Sequence, residues 1–336
     1  MPSYARILMT GASGFVGRRL APALQAAYPA AALAAIAHGP SHGPSDECPA
    51  WTTFCVDLAD ADGINEAVRS WRPNLVVHLA AQSSVGQEAE LAEATWRINS
   101  VGALNLACAI ARAVPDSMVF NVSTGEVYGS SFLNGPATET TPLSPRSVYA
   151  RSKAAAETIF EDVLPPKSRL VTVRPLNHTG AGQDERFVLP SCAAQIARIE
   201  GGLLPPKLQV GDLTVERDFL DVRDVIDAYL LILAGAEALP QRAVLNVASG
   251  QPRRIRDLLD VMVSASTRLF DVEIDPARVR PAEIPRIAGD AAAVRRHFGW
   301  VPKHSVDELV MELLTYWRAK IAAESVANLP AVSKRL

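Results

Sequence analysis

Arg6-Ile7-Leu8-Met9-Thr10-Gly11-Ala12-Ser13-Gly14-Phe15-Val16-Gly17 opens the chain with a short apolar run that leads into three regularly spaced glycines. The helix-compatible Arg18-Arg19-Leu20-Ala21-Pro22-Ala23-Leu24 follows at once. Strand, tight turn and helix in this order form a cradle for a dinucleotide. Glycines permit positive φ and let backbone amides approach a pyrophosphate, and the first N–H groups of a helix are ready donors to an anion. The spacing is G-x-x-G-x-x-G rather than G-x-G-x-x-G. On this reading Gly11, Ser13, Gly14, Phe15, Val16 and Gly17 face a cofactor.

Outward from this loop, apolar runs alternate with helical patterns. Ala32-Leu33-Ala34-Ala35-Ile36-Ala37, Trp51-Thr52-Thr53-Phe54-Cys55-Val56, Leu75-Val76-Val77-His78-Leu79, Met118-Val119-Phe120-Asn121-Val122 and Leu170-Val171-Thr172-Val173-Arg174 read as strands. Helices are expected over 93–113 and around Tyr149. The rhythm predicts an α/β fold, a Rossmann-type doubly wound parallel sheet. After residue 176 it breaks into glycine- and proline-rich connections, with a helix over 187–200, a short strand over 208–210 and a helical stretch over 254–270. We therefore expect a cofactor-binding domain over 1–176 with returning segments near 223–234 and 243–248. A smaller C-terminal α/β substrate lobe takes the rest of 177–322, and 323–336 is a flexible tail.

Ligands in such a sheet bind beyond the carboxyl ends of the strands. Leu79-Ala80-Ala81-Gln82-Ser83-Ser84, Ser123-Thr124-Gly125-Glu126 and Pro175-Leu176-Asn177-His178-Thr179-Gly180 all begin at such ends. Three polar segments are thus expected to meet in one crevice, with the lone His178 as a packing residue. At the end of the second strand, where an acid ordinarily holds the ribose 2′-OH, the chain has His38-Gly39. Without a carboxylate there to repel a 2′-phosphate, and with Arg18, Arg19 or His38 available to face one, NADP(H) is favoured over NAD(H). Asp57-Leu58 ends the next apolar run, where the acid can accept from an adenine amino group or cap the following helix.

Tyr149 and Lys153 are four residues apart, so on a helix they share a face. A phenol titrates near ~10, and a close cation favours its ionised form, bringing it toward acid/base work. Thr124, at the end of a strand, would share a substrate oxygen with Tyr149 if that helix packs beside the strand. Taken alone, its hydroxyl would only cap local backbone. As hydride reaches a carbonyl carbon, Tyr149 would supply the proton, Thr124 a hydrogen bond, and Lys153 a hold on the nicotinamide ribose.

Composition narrows the class further. The 336 residues carry a net charge of −3 and are 49% hydrophobic, enough for a large core. No basic run or aromatic ladder points to nucleic acid. No charged leader with an apolar stretch and no uninterrupted apolar span is evident, so a soluble cytoplasmic protein without a membrane partner is expected. Cys48, Cys55, Cys108 and Cys192 have neither the short paired spacing of a metal site nor a disulfide framework.

Gly11-x-x-Gly14-x-x-Gly17, Ser123-Thr124-Gly125-Glu126-Val127-Tyr128-Gly129 and Tyr149-x-x-x-Lys153 together resemble the extended branch of the short-chain dehydrogenase/reductase family, which modifies nucleotide sugars. The resemblance covers nearly the whole chain and implies a homodimer built on helices that include the one with the tyrosine. Arg174-Pro175-Leu176-Asn177-His178-Thr179-Gly180-Ala181-Gly182-Gln183 with Phe187-Val188, Val210-Gly211-Asp212-Leu213, and Arg217-Asp218-Phe219-Leu220-Asp221-Val222-Arg223-Asp224-Val225 are similar to the group that reduces GDP-4-keto-6-deoxy-D-mannose to GDP-D-rhamnose. By that likeness Asn177, Arg217 and Arg280 bind the nucleotide diphosphate of a GDP-linked sugar. Guanidinium forks suit phosphate oxygens, although an arginine in a surface ion pair is the plain alternative. Ser83, Ser84, Thr124, Glu126, Arg186 and Val188 complete the implied substrate set. Asp57, Leu58, Leu79, Ala80, Ala81 and Pro175 join the glycine loop and His38 around the cofactor, with Tyr149 and Lys153.

A GDP-mannose 4,6-dehydratase is the nearest rival, because Thr124-Gly125-Glu126 resembles a Thr-x-Glu arrangement in which the glutamate removes a proton. Many such dehydratases carry an acid at the middle position, where this chain has Gly125. A nucleotide-sugar 4-epimerase would use the same threonine, tyrosine and lysine with tightly held NAD. A non-catalytic nucleotide sensor on this fold would have no need of Tyr149 and Lys153. In a reductase Glu126 is accessory, bonded to Tyr128 or to backbone.

Overall fold

The computed structural model describes residues 4–39, 51–83, 88–279 and 284–327. Ser84 and Arg280 lie outside the described residues. Two compact units emerge: 1–178 with 218–252 and 286–303, and 179–217 with 253–285 and 304–336.

In the first unit, β1 (Arg6–Thr10), β2 (Ala32–Ala37), β3 (Thr52–Cys55), β4 (Leu75–His78), β5 (Met118–Val122), β6 (Arg169–Pro175) and β7 (Arg242–Val247) form a parallel sheet in the order β7-β6-β5-β4-β1-β2-β3. Leu8 of β1 stands opposite Ala34 on one side and Val76 on the other. Every residue of β4 and β5 is buried, as expected for strands covered on both faces. Helix α1 (Gly17–Ala27) follows β1. Helix α2 (Ala61–Trp71) packs through Ile64 and Val68 into a cluster with Leu8, Ile36, Val76 and Val119 of the strands. Burial of each such side chain stabilises the fold by roughly 1.5–3 kcal/mol.

The segment read as one helix over 93–113 begins earlier and is interrupted. Helix α3 (Glu88–Trp96) passes through a wider turn, Arg97–Val101, into α4 (Gly102–Ala113). A π-type turn accommodates an extra residue, and this one spans only Arg97–Val101, too short a stretch for the apolar pattern to register the change of phase. The insertion buries Asn99. Helix α5 (Val148–Val163) starts at Ser147, whose hydroxyl accepts from the Ala150 amide at 3.0 Å, and lies beside α4 in the same cluster through Phe160.

In the second unit are α6 (Val188–Glu200) and the parallel pair Lys207–Val210 and Asp271–Ile274. Helix α7 (Val222–Gly235) belongs to the first unit and packs on α1. Helix α8 (Ile255–Ser264) of the second unit ends well before residue 270, because the Ala265 and Ser266 amides close its last turn. Residues 286–303, assigned above to the substrate lobe, belong to the first unit. There α9 (Ala292–Phe298) packs on β7 and α7, and Trp300 Nε1 donates to the Asp224 carbonyl at 3.1 Å. The second unit closes with α10 (Val306–Ala327), which presents buried Leu309, Val310, Leu313, Leu314, Trp317 and Ile321. Residues 323–327, assigned to the tail, thus continue this helix.

Candidate active site

The sheet order reverses between β1 and β4, and the loops after these two strands touch. Gly11 has φ 74°, and a Cβ built on it would stand 2.6 Å from the Ala80 nitrogen. At Gly17 a Cβ would meet the Gly11 carbonyl oxygen at 2.1 Å, so helix α1 begins hard against the turn. The helix has no side-chain cap and no acid in its first turn. Its N-terminal dipole is therefore uncompensated by the chain's own side chains, which fits the pyrophosphate of a nicotinamide dinucleotide. Phe15 is held by a stacked His178 ring at 6.4 Å and by the Arg19 guanidinium 5.0 Å above its own ring. His178 Nδ1 pairs with the Leu176 carbonyl at 3.0 Å, the packing role expected of it.

Beyond β2 and β3, exposed His38 and Arg97 both face Asp57, with Nδ1 at 3.7 Å and Nη1 at 3.3 Å from Oδ2. Helix α2 is capped by Asp60, which accepts from the Gly63 amide, so the capping alternative for Asp57 is corrected; Asp57 instead accepts from the Ala59 amide. Leu58 is buried against Gly102 at the start of α4, a core position for its side chain. Arg19, offered above for a 2′-phosphate, lies over Phe15, whereas Arg97 was missed because the wide turn that presents it has no sequence signature.

Thr124, Tyr149 and Lys153 come together beyond β5. Thr124 accepts from the Glu126 amide at 3.2 Å, and its hydroxyl is close enough to the Tyr149 phenol to influence it. Burial, and then the charge of Glu126, push that phenol above its ordinary value, with the Thr124 hydroxyl opposing them. This corrects the expectation that the neighbouring cation would lower it. Lys153 acts instead on His78. Its ammonium is pushed down to about 8 by burial, against the pull of the Glu157 carboxylate. A phenol held protonated at neutral pH is suited to give a proton. Glu126 itself is exposed. It is not the partner of Tyr128, whose hydroxyl donates to Asn246 Oδ1 at 2.7 Å and accepts from Arg174 Nη1 at 3.0 Å.

The loop after β4, with Leu79, Ala80, Ala81 and Ser83 partly buried, is tied down by Asn99. Asn99 Oδ1 accepts from the Gln82 amide at 2.7 Å, and its Nδ2 donates to Ser152 Oγ of α5 at 2.9 Å. Pro175 closes β6 and is buried, and half-buried Asn177 follows on the short strand Asn177–Thr179. In the second unit Arg186 lies 3.7 Å from Asp184 and its guanidinium 5.6 Å from the Phe187 ring. Val188 opens α6 and is exposed, and Arg217 Nη1 donates to the Glu216 carbonyl at 2.8 Å. No group of side chains able to hold a metal occurs among the described residues.

A family model described as GDP-mannose 4,6 dehydratase matches residues 8–313. The chain belongs to this family. It is 36% identical over 324 residues to GDP-6-deoxy-D-mannose reductase of Pseudomonas aeruginosa, covering 95% of this chain and 99% of that one. It is 31% identical to GDP-mannose 4,6 dehydratase 2 of Arabidopsis thaliana over 76% of this chain and 68% of that one. The structure of RMD from Pseudomonas aeruginosa complexed with NADPH superimposes with a TM-score of 0.77 at 33% identity, over 94% of this chain and 99% of that one. The extended reductase resemblance and the doubly wound parallel sheet are both borne out by these likenesses.

Proposed function

We propose that the protein is a nicotinamide-dependent oxidoreductase that reduces the C4 ketone of a nucleotide-diphosphate 4-keto-6-deoxyhexose, GDP-4-keto-6-deoxy-D-mannose being the substrate and GDP-D-rhamnose the product. The observation that carries this reading is the meeting of Thr124, at the end of β5, with Tyr149 and Lys153 one turn apart on α5, where burial raises the Tyr149 phenol. A bound reduced nicotinamide supplies the hydride. Tyr149 gives its proton to the substrate oxygen as charge gathers there, and Thr124 holds that oxygen by a hydrogen bond. Lys153 holds the nicotinamide ribose, and the uncapped start of α1 takes the pyrophosphate. NADP(H) is preferred to NAD(H), because His38 rather than an acid follows β2 and Arg97 lies close by, both facing the Asp57 carboxylate after β3.

Gly125 favours reduction over dehydration. Glycine has no group able to protonate a leaving hydroxyl, and a Cβ there would already stand 2.8 Å from buried Leu176 Cδ1. Asn177, Arg186, Val188, Arg217 and Ser83 bind the nucleotide sugar on this reading, as the motif resemblance in the sequence implies, and a homodimer in the cytoplasm completes the proposal. No described helix is long and apolar enough to cross a membrane.

Loss of reduced-nicotinamide absorbance with GDP-4-keto-6-deoxymannose, faster with NADPH than with NADH and yielding a GDP-deoxyhexose, is the expected result. Conversion of GDP-mannose to a keto sugar without net cofactor use would transfer the assignment to the dehydratase.

A further inference from the structure

Beneath Thr124, Tyr149 and Lys153 lies a carboxylate that the reaction described above does not use. Glu157 follows Lys153 by four residues on α5 and so shares its face. Its Oε1 accepts from Ser123 Oγ and from Arg174 Nε, the latter at 3.1 Å, and its Oε2 accepts from Arg174 Nη2 at 2.6 Å. Ser123 is the neighbour of Thr124 at the end of β5, and Arg174 immediately precedes Pro175 at the end of β6. Arg174 continues the chain of bonds to Tyr128 and Asn246, and all these side chains are buried. Three elements that must be in register for the site to work thus meet at one carboxylate.

The charge count sharpens the point. Two buried cations stand near a single buried carboxylate: Arg174, paired to it at 2.6 Å, and Lys153, one turn before it on α5. A carboxylate that served only to pin β6 to α5 would need Arg174 alone, and an apolar pair of similar volume would pin them as well. Glu157 also bonds to the residue beside Thr124 and acts on Lys153.

We propose, on the basis of the reductase reading, that Glu157 is a positioning residue: through Ser123 and Arg174 it sets the strand end carrying Thr124 against the helix carrying Tyr149, and it places a carboxylate one turn from the Lys153 ammonium. The groups around Lys153 support this. Tyr149 and Glu157 lie on α5, His78 on β4, Arg174 on β6 behind Glu157, Glu126 in the turn after β5, and Tyr229 on α7 close to Tyr149. Of the two carboxylates, Glu157 acts on Lys153 and Glu126 on Tyr149.

The test titrates full-length protein labelled with 13C at the lysine ε-carbon, the Lys153 resonance being assigned by its loss in Lys153→Met. In Glu157→Gln, which keeps the shape and removes the charge, the midpoint should fall by about one pH unit or more. The alkaline limb of the kcat profile should move with it, lowering kcat at pH 8 by about tenfold with partial recovery at lower pH. A merely structural Glu157 would give an unchanged Lys153 midpoint and a uniform loss at every pH, and that result overturns the proposal. If Glu157→Gln does not fold, Glu157→Asp is titrated in its place; an intermediate shift supports the proposal and an unshifted midpoint overturns it. Should the wild-type enzyme fail to oxidise NADPH with the keto sugar, the reductase reading falls, while the Lys153 titration still decides what Glu157 does.

Discussion

Thr124 accepts from the Glu126 amide at 3.2 Å, fixing the turn after β5, and the same hydroxyl lowers the Tyr149 phenol on α5 against burial and the charge of Glu126. Capping local backbone and serving the chemistry are therefore compatible roles for this side chain. Tyr149→Phe leaves the ring in place and removes the proton donor, so turnover should fall ~10²–10⁴-fold. Thr124→Val should cost roughly 10²–10³-fold in kcat, the range for loss of one donor to a developing oxyanion. NADPH affinity, read by nucleotide fluorescence, should stay within a few-fold of wild type in both. A variant that keeps full turnover would remove that residue from the mechanism.

Gly11 and Gly14 stand in the same loop and should respond differently to a methyl group. At Gly11 the added Cβ meets the Ala80 backbone in a conformation that L side chains avoid, whereas at Gly14 the nearest contact is the Gly11 oxygen at 3.3 Å. Gly11→Ala should therefore destabilise the protein by ~1–3 kcal/mol. Gly14→Ala should leave the melting temperature nearly unchanged while lowering NADPH affinity. Calorimetry with and without NADPH separates the two effects; equal melting temperatures for both variants would refute the close-approach argument.

His78 makes the fold sensitive to acid. Its Nδ1 pairs with Thr10 Oγ1 at 2.8 Å, and its Nε2 has no hydrogen-bond partner among the described residues. Burial, helped by the charge of Lys153, pushes it down to about 3. The unfolded chain thus binds a proton that the folded chain refuses between pH ~6.5 and about 3, so stability is present above this window and declines as pH falls through it. The loss should be on the order of a few kcal/mol, and urea midpoints measured from pH 7 to pH 4 should decline less steeply in His78→Gln than in wild type. Parallel slopes would show that another group governs acid unfolding.

Much of the fold was legible because its signals are local. Apolar runs fully buried in a parallel sheet are continuous, and the glycine turn marks β1 and α1 without help from the rest of the chain. The triad of Thr124, Tyr149 and Lys153 could be proposed because helical spacing and strand ends bring those residues within reach of one another. Asn99 and Arg97 were invisible, since the wider turn that presents them spans only Arg97–Val101, too short for the apolar pattern to register. Glu157 was legible in principle at i+4 from Lys153, but only the folded chain shows that Ser123 and Arg174 meet it. The direction of the Tyr149 shift was misread for a related reason: spacing shows the nearby lysine but not the depth of burial, which prevails here.

The adenosine end offers the sharpest test of cofactor preference. Asp57 draws both His38 and Arg97 toward one carboxylate, leaving two side chains capable of positive charge around the end of β2. His38→Asp places an anion where a 2′-phosphate would have to lie and a 2′-OH could donate. The ratio of kcat/KM for NADPH to that for NADH should fall by tenfold or more, equivalent to about 1.4 kcal/mol of discrimination. Arg97→Ala should lower the same ratio by a smaller factor, because its guanidinium is exposed and already shares Asp57. Steady-state kinetics with both nucleotides measures each ratio. If His38→Asp leaves it unchanged, the preference is set elsewhere on the chain and the reading of the β2 end is wrong.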